Sequence, residues 1–384
     1  MIYPHHKFYI SDTTKVNCES KMSLINTCLI ATLTLQCIAP VRSERILLLA
    51  HLQGSHVMQI TTSGQELMRR GHDVYVVLPT GSSLTSMVQK KGLKLLTFQV
   101  ANNEGLMESP DYNILFEEDV FKDDFDISVT LDPTMSACFK HCDLMLHDLE
   151  FMAKVKLLDF DFAIVDLFIL GSCLALLPHH LKIPFAAESD SIQNIDIGVP
   201  NLPSFMPSYS QQATDRMSFS EKLTSLFLMI VFSTPFSVTE RNTTLLNEFA
   251  PALSSWRQLR KQAHLYVIHR DYLLEYPSPT MPHVVTTAGV NFAPSKPLLP
   301  ELSRQLKWTN DIVVMSFGSS AGKMPEKFVR VFIDAFRQFP DYAFVWKLPN
   351  ADKYTLPKNI IASPWLPQND LMAVLPLTFR RKKV

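Results

Sequence analysis

Residues 311–320 read DIVVMSFGSS. Ile312, Val313, Val314 and Met315 form an uninterrupted apolar run, the pattern of a strand covered on both faces. Ser316, Gly318, Ser319 and Ser320 follow at once. At the carboxyl end of a parallel strand, such a loop brings backbone N–H groups and hydroxyls close to a phosphate. Further on, residues 365–371 read WLPQNDL, with the Trp365 indole three residues before the Gln368 amide. Pro364 and Pro367 stiffen that loop. Taken singly, each piece also fits an ordinary strand–loop or a buried Trp.

Upstream, strands and helices alternate. RILLLAH (45–51) reads as a buried strand, followed by a helix over 54–70 that stops at Gly71. Strands are expected at 73–79 and 93–98, with a helix over 83–91 between them. An apolar stripe at Leu144, Leu149, Met152, Val155 and Leu158 predicts one helix over 143–158. FAIVD (162–166) and residues 183–187 read as strands, flanking a helix over 171–181 that Pro178 kinks or ends. Weak strands follow at 265–268 and 284–285. Beyond 311–320 come a helix over 325–338 and a strand over 342–347. This rhythm predicts an α/β fold with doubly wound parallel sheets.

The 384 residues suffice for two domains. A net charge of −1 gives no electrostatic case for nucleic acid. With 47% hydrophobic and 19% charged residues the chain is globular, and its 25 Phe and 16 Met suit apolar clefts. Of the six cysteines, Cys18, Cys28 and Cys37 fall in a leader. Cys138, Cys142 and Cys173 are an odd remainder that implies no dense disulfide framework. Cys138, His141 and Cys142 lack a second Cys/His pair at zinc spacing, so no metal site is expected.

Residues 1–43 read as an N-terminal extension and signal peptide. Residues 1–21 are patternless, and Met22 looks like a more natural start. LINTCLIATLTLQCIA (24–39) follows Lys21, and Val41-Arg42-Ser43 offers a cleavage site. The run is short for a membrane anchor and contains Asn26, Thr27 and Gln36. Folding in the endoplasmic reticulum lumen is expected, with secretion if no anchor exists. Asn242-Thr243-Thr244 is an N-glycosylation sequon usable only there.

The loop 311–320 and the WLPQ loop, in this order, resemble the nucleotide-sugar site of the UDP-glycosyltransferases, most closely the animal UDP-glucuronosyltransferases. The resemblance implies a GT-B fold of two Rossmann-like domains: acceptor-binding over 44–290 and UDP-sugar-binding over 291–384, the second incomplete. The Pro-rich run NFAPSKPLL (291–299) would link them. By resemblance Ser319 lies near the diphosphate, Trp365 stacks on uracil and Gln368 hydrogen-bonds the uridine. GSHVMQI (54–60) resembles the family's Ser-His segment, making His56 the catalytic base, with His51 as competitor. Asp166, ending FAIVD, would orient that base; a turn or helix-cap role is its alternative. Residues 198–219 also resemble the family. The apolar stretch 223–238 is associated there with the membrane surface or acceptor cleft; a core helix is the other reading, since 226–232 is too short to span.

The implied reaction moves a sugar from UDP-glucuronate, a co-substrate with no further cofactor, to a hydroxyl of a small lipophilic acceptor, with inversion. Glucose is the competing donor sugar. In the family the Trp–Gln loop continues into a His-Gly-Gly diphosphate cradle, an Asp-Gln sugar pair, a membrane helix and a basic tail. Here AVLPLTFRRKKV follows Met372 instead. The alternative is therefore a non-catalytic form that binds small molecules or pairs with full-length relatives. Expected partners are the UDP-sugar, the acceptor, a membrane surface and copies of this chain or its relatives.

Overall fold

The computed structural model describes residues 43–50, 54–100, 127–167, 171–189, 192, 194–208, 211, 213–233, 240, 242–276, 278–289, 294–309, 311–318 and 324–374. The expected leader, His51, Ser319, the start of the 291–299 linker and the last ten residues lie outside them.

Seven strands form one parallel sheet: β1 (Arg45–Leu49), β2 (Asp73–Pro79), β3 (Lys94–Phe98), β4 (Phe162–Asp166), β5 (Phe185–Ser189), β6 (Leu265–His269) and β7 (Val284–Thr287). Their spatial order is β3-β2-β1-β4-β5-β6-β7. The chain runs outward from β1 to β3, then returns to lay β4 on the other side of β1. The crevice at the carboxyl ends of β1 and β4 is thus the topological switch point, where doubly wound sheets bind ligands. The core residues of β1, Leu47, Leu48 and Leu49, are fully buried, as a run covered by helices on both faces should be.

Helix α1 (Gly54–Arg69) follows β1. It seats closely on the sheet because Gly64 carries no Cβ: one there would stand 2.6 Å from Leu48 Cδ1. Helix α2 (Thr85–Lys90) joins β2 to β3. The single helix expected over 143–158 is instead two, α3 (Ile127–His147) and α4 (Leu149–Leu158). Asp148 makes the break. Its backbone leaves the helical region and its carboxylate caps α4 by accepting from Phe151 N, while also holding Gln99 N. The apolar stripe continues across that cap, so periodicity alone does not reveal it.

A 3₁₀ turn (Ser172–Ala175) leads into α5 (Leu176–Leu181). Pro178 falls in the first turn of α5, where a missing N–H costs nothing. Strand β5 runs two residues past its expected end, through Glu188 and Ser189. Helix α6 (Phe219–Ser233) exposes Phe219, Leu223, Phe227 and Ile230. Among the described residues no helix is long and apolar enough to cross a membrane. Helix α7 (Trp256–Arg260) anchors the 190s loop: Arg260 is 2% exposed and bonds Asp196, Glu240 and Ser172.

A second parallel sheet holds β8 (Ile312–Met315), β9 (Ala343–Lys347) and β10 (Ile360–Ser363), in the order β10-β9-β8. One face packs Phe344, Trp346 and Ile360 against Val329 and Ile333 of α8 (Glu326–Arg337). The other packs Ala343 and Val345 against Leu306, Leu366 and Leu371, the last on α9 (Gln368–Val374). The expectation that β8 is covered on both faces is corrected. It lies on the edge of the three described strands, with Val313 exposed and its neighbours half-buried, while β9 is the buried centre.

Candidate active site

His56 sits in the first turn of α1 and Asp166 closes β4, so the β1/β4 adjacency brings together two side chains 110 residues apart. His56 Nδ1 lies 2.7 Å from Asp166 Oδ2, with both residues buried. The carboxylate accepts from Nδ1–H, which fixes the neutral tautomer with its lone pair on Nε2 and stabilises the imidazolium once Nε2 is protonated. Chemically this pair can take a proton from a hydroxyl.

Helix α3 packs beside the pair. The Cys138 thiol is buried close to Asp166; burial, then the Asp166 charge, push its pKa far up and keep it protonated. One turn on, Cys142 is disulfide-bonded to Cys173, tying α3 to the segment that follows Asp166. The odd cysteine remainder thus resolves into one bridge, Cys142–Cys173, and one thiol outside it, Cys138. His141, edge-on to Phe98, is pushed down to about 4 by burial, so its ring is neutral near pH 7.

A second buried carboxylate, absent from the sequence expectations, stands beside the first. Asp166 and Glu188 are register partners on β4 and β5. Glu188 Oε1 accepts from Ser63 Oγ of α1 at 2.9 Å and lies 3.0 Å from His269 Nε2 of β6. His269 Nδ1 in turn lies 3.0 Å from Thr287 Oγ1 of β7. The signal that could have revealed it is a charged residue directly after a buried apolar strand, which marks a sheet edge.

The three-stranded sheet carries the other group at its own carboxyl edge. Gln368 Nε2 donates to Ser316 Oγ at 2.7 Å, joining the two loops quoted first. Trp365 exposes 65% of its surface, rather than being a buried core indole. Its turn is held by Ser363 Oγ, which donates to the Trp365 carbonyl at 2.8 Å. Lys347, ending β9, donates to the Gly318 carbonyl at 2.8 Å and places its ammonium 5.4 Å from the Trp365 ring centre. Burial lowers its pKa. Sequence reasoning missed Lys347, though a cation at a strand's carboxyl end beside a small-residue loop is a readable signal. The structure thus brings His56 to Asp166 and brings Gln368 and Trp365 to the Ser316–Gly318 loop; Ser319 lies outside the described residues.

Parallel doubly wound sheets with polar groups gathered at their carboxyl edges define an α/β ligand-binding enzyme fold. The chain belongs to the UDP-glucoronosyl and UDP-glucosyl transferase family, whose model matches residues 45–377. Among curated proteins it is similar to human UDP-glucuronosyltransferase 1A1, 26% identical over 337 residues, covering 85% of this chain and 62% of that one. It is also similar to Xenopus laevis UDP-glucuronosyltransferase 3A1, 26% identical over 366 residues, covering 90% and 67%. The chain therefore spans about two thirds of its relatives' length or less. Among solved structures it resembles the calicheamicin glycosyltransferase CalG4, with TM-score 0.51 and 16% identity, covering 87% of this chain and 74% of that one. It also resembles the spinosyn rhamnosyltransferase SpnG complexed with thymidine diphosphate, with TM-score 0.51 and 14% identity, covering 86% and 73%. The fold is of the GT-B type.

Proposed function

We propose that this chain transfers a hexosyl group from a UDP-sugar to a hydroxyl of a small lipophilic acceptor. The names of its curated relatives support glucuronate as the sugar. The observation that carries the reading is the buried His56–Asp166 pair at the sheet's switch point. His56 Nε2 takes the acceptor hydroxyl proton as the oxygen attacks the anomeric carbon. The bond from that carbon to the phosphate oxygen breaks, its electrons leave with UDP, and the configuration inverts. Asp166 orients the imidazole and balances its charge. Trp365 offers a face for uracil, Gln368 an amide for the uridine, and Ser319 with its loop contacts for the diphosphate. The reaction needs no metal or further cofactor in this reading.

We place the activity in the endoplasmic reticulum lumen, as a glycoprotein of the membrane surface or its vicinity. The Cys142–Cys173 bridge supports an oxidising compartment, and Asn242 of the sequon is exposed. The acceptor-binding and UDP-sugar-binding parts are assigned to 44–290 and 291–384.

The test is incubation of the full natural protein with UDP-glucuronate or UDP-glucose and a panel of phenols. We expect a conjugate and one UDP per transfer, lost on His56→Ala. Release of UDP that is indifferent to His56→Ala overturns the mechanism.

A further inference from the structure

The Glu188 arrangement goes beyond that mechanism, whose proton transfer uses His56 and Asp166 and leaves Glu188 without a role. We infer that Glu188 is a specificity-determining residue of the same site, whose second carboxylate oxygen accepts a hydrogen bond from a substrate hydroxyl other than the reacting one. The inference rests on the transferase reading above and deepens it.

Three observations carry it. The first is placement. Asp166 and Glu188 are register partners on adjacent parallel strands, so their side chains leave the same face of the sheet, about 4.8 Å apart at the backbone. Helix α1 serves both: His56 meets Asp166, and Ser63, two helical turns on, meets Glu188. The second carboxylate is therefore part of the edge that holds the base.

The second is orientation. Ser63 from one side and His269 from the other fix the Glu188 head, and Thr287 fixes His269. Both His269 ring nitrogens are engaged within this relay. His269 is thus a positioning residue, and Glu188 is the group left to meet a ligand.

The third is the division of labour within the carboxylate. Glu188 is 3% exposed, yet both bonds fall on Oε1; among the described residues none falls on Oε2. A purely structural stitch between α1, β5 and β6 accounts for Oε1 alone. Oε2 keeps accessible surface, so it can accept from a ligand that brings a donor.

The ligand chemistry follows. Oε2 accepts from O–H or N–H and repels an anion. The partner is a second substrate hydroxyl, distinct from the one that His56 deprotonates. Two sources present it: a second hydroxyl of the acceptor, as in an ortho-diphenol, or a hydroxyl of the hexose being transferred.

Glu188→Gln separates these outcomes. Its amide oxygen still accepts from Ser63 and His269, while its NH2 donates where Oε2 accepted. The readout is calorimetric binding to the full natural protein, which works with or without turnover. The probes are catechol against phenol, and UDP-glucose against UDP. If the acceptor is the source, the catechol-over-phenol preference of the wild type falls by about 10- to 100-fold in Glu188→Gln. If the hexose is the source, the UDP-glucose-over-UDP preference falls instead. If both ratios are unchanged in a variant with wild-type melting temperature, the inference is overturned. Should Glu188→Gln not fold, Ser63→Ala loosens the same carboxylate and shifts the same ratio less; an unchanged ratio there also overturns it. Failure of the underlying transferase reading shows separately, as absent turnover of the wild type with either UDP-sugar.

Discussion

The two sheets carry their polar groups in opposite ways. At the edge of the seven-stranded sheet, His56, Asp166 and Glu188 are buried and locked by bonds between residues 81 to 125 positions apart. At the edge of the three-stranded sheet, Trp365 is two-thirds exposed, and Ser316, Gly318, Lys347 and Gln368 are held by contacts among loops and strand ends. The difference matches the chemistry assigned to each. Proton transfer needs one tautomer in one orientation, which burial and the hydrogen bond to Asp166 enforce. Recognition of a nucleotide base needs an open ring face, which burial would remove.

The sharpest way to break this contrast is Asp166→Asn. We expect turnover to fall by about 10²–10⁴-fold, because the amide no longer fixes the tautomer or offsets the imidazolium charge. Unchanged kcat would reduce Asp166 to a strand-end cap.

A pH titration of stability sharpens it further. His141 is fully buried with a folded-state pKa of about 4, against 6.5 for the unfolded chain. The unfolded state binds more protons between these values, so the stabilisation is present above pH 6.5 and is lost as pH falls toward 4. The loss should reach about 3 kcal/mol. Urea melts from pH 7 to pH 4 should show it, and His141→Phe should flatten that slope.

The smallest effect expected is that of Trp365→Ala. Loss of a stacking face costs about 1–3 kcal/mol, or roughly 10- to 100-fold in donor affinity. The melting temperature should hold, since the exposed ring contributes little to the core. A large drop in stability would mean the indole is structural.

Much of this was legible in the sequence, for reasons that also mark where legibility ends. Continuous apolar runs such as RILLL and FAIVD are decided by local composition, and their strands fall where expected. His56 and Asp166 were legible as residues at the carboxyl ends of such runs. Their meeting depends on β4 lying beside β1, which no local pattern encodes. Glu188 was missed because a charged residue reads as the end of a strand, whereas Ser63 and His269 make its burial tolerable within one. The Asp148 break was hidden under a continuing apolar stripe. Cys138, Cys142 and Cys173 gave a count but no pairing, since pairing follows from the packing of α3 against the turn after β4. The apolar run at 312–315 reads as covered on both faces, but coverage depends on strand order, which makes β9 the middle of the described strands.

The most direct measurement compares His56→Ala with Trp365→Ala in one assay of full-length protein, recording kcat and donor KM together with melting temperature. The account predicts that His56→Ala lowers kcat by about 10²–10⁴-fold with donor KM little changed, while Trp365→Ala raises donor KM with kcat largely kept. A folded His56→Ala variant that turns over at the wild-type rate would contradict the assignment of the buried pair as the catalytic base.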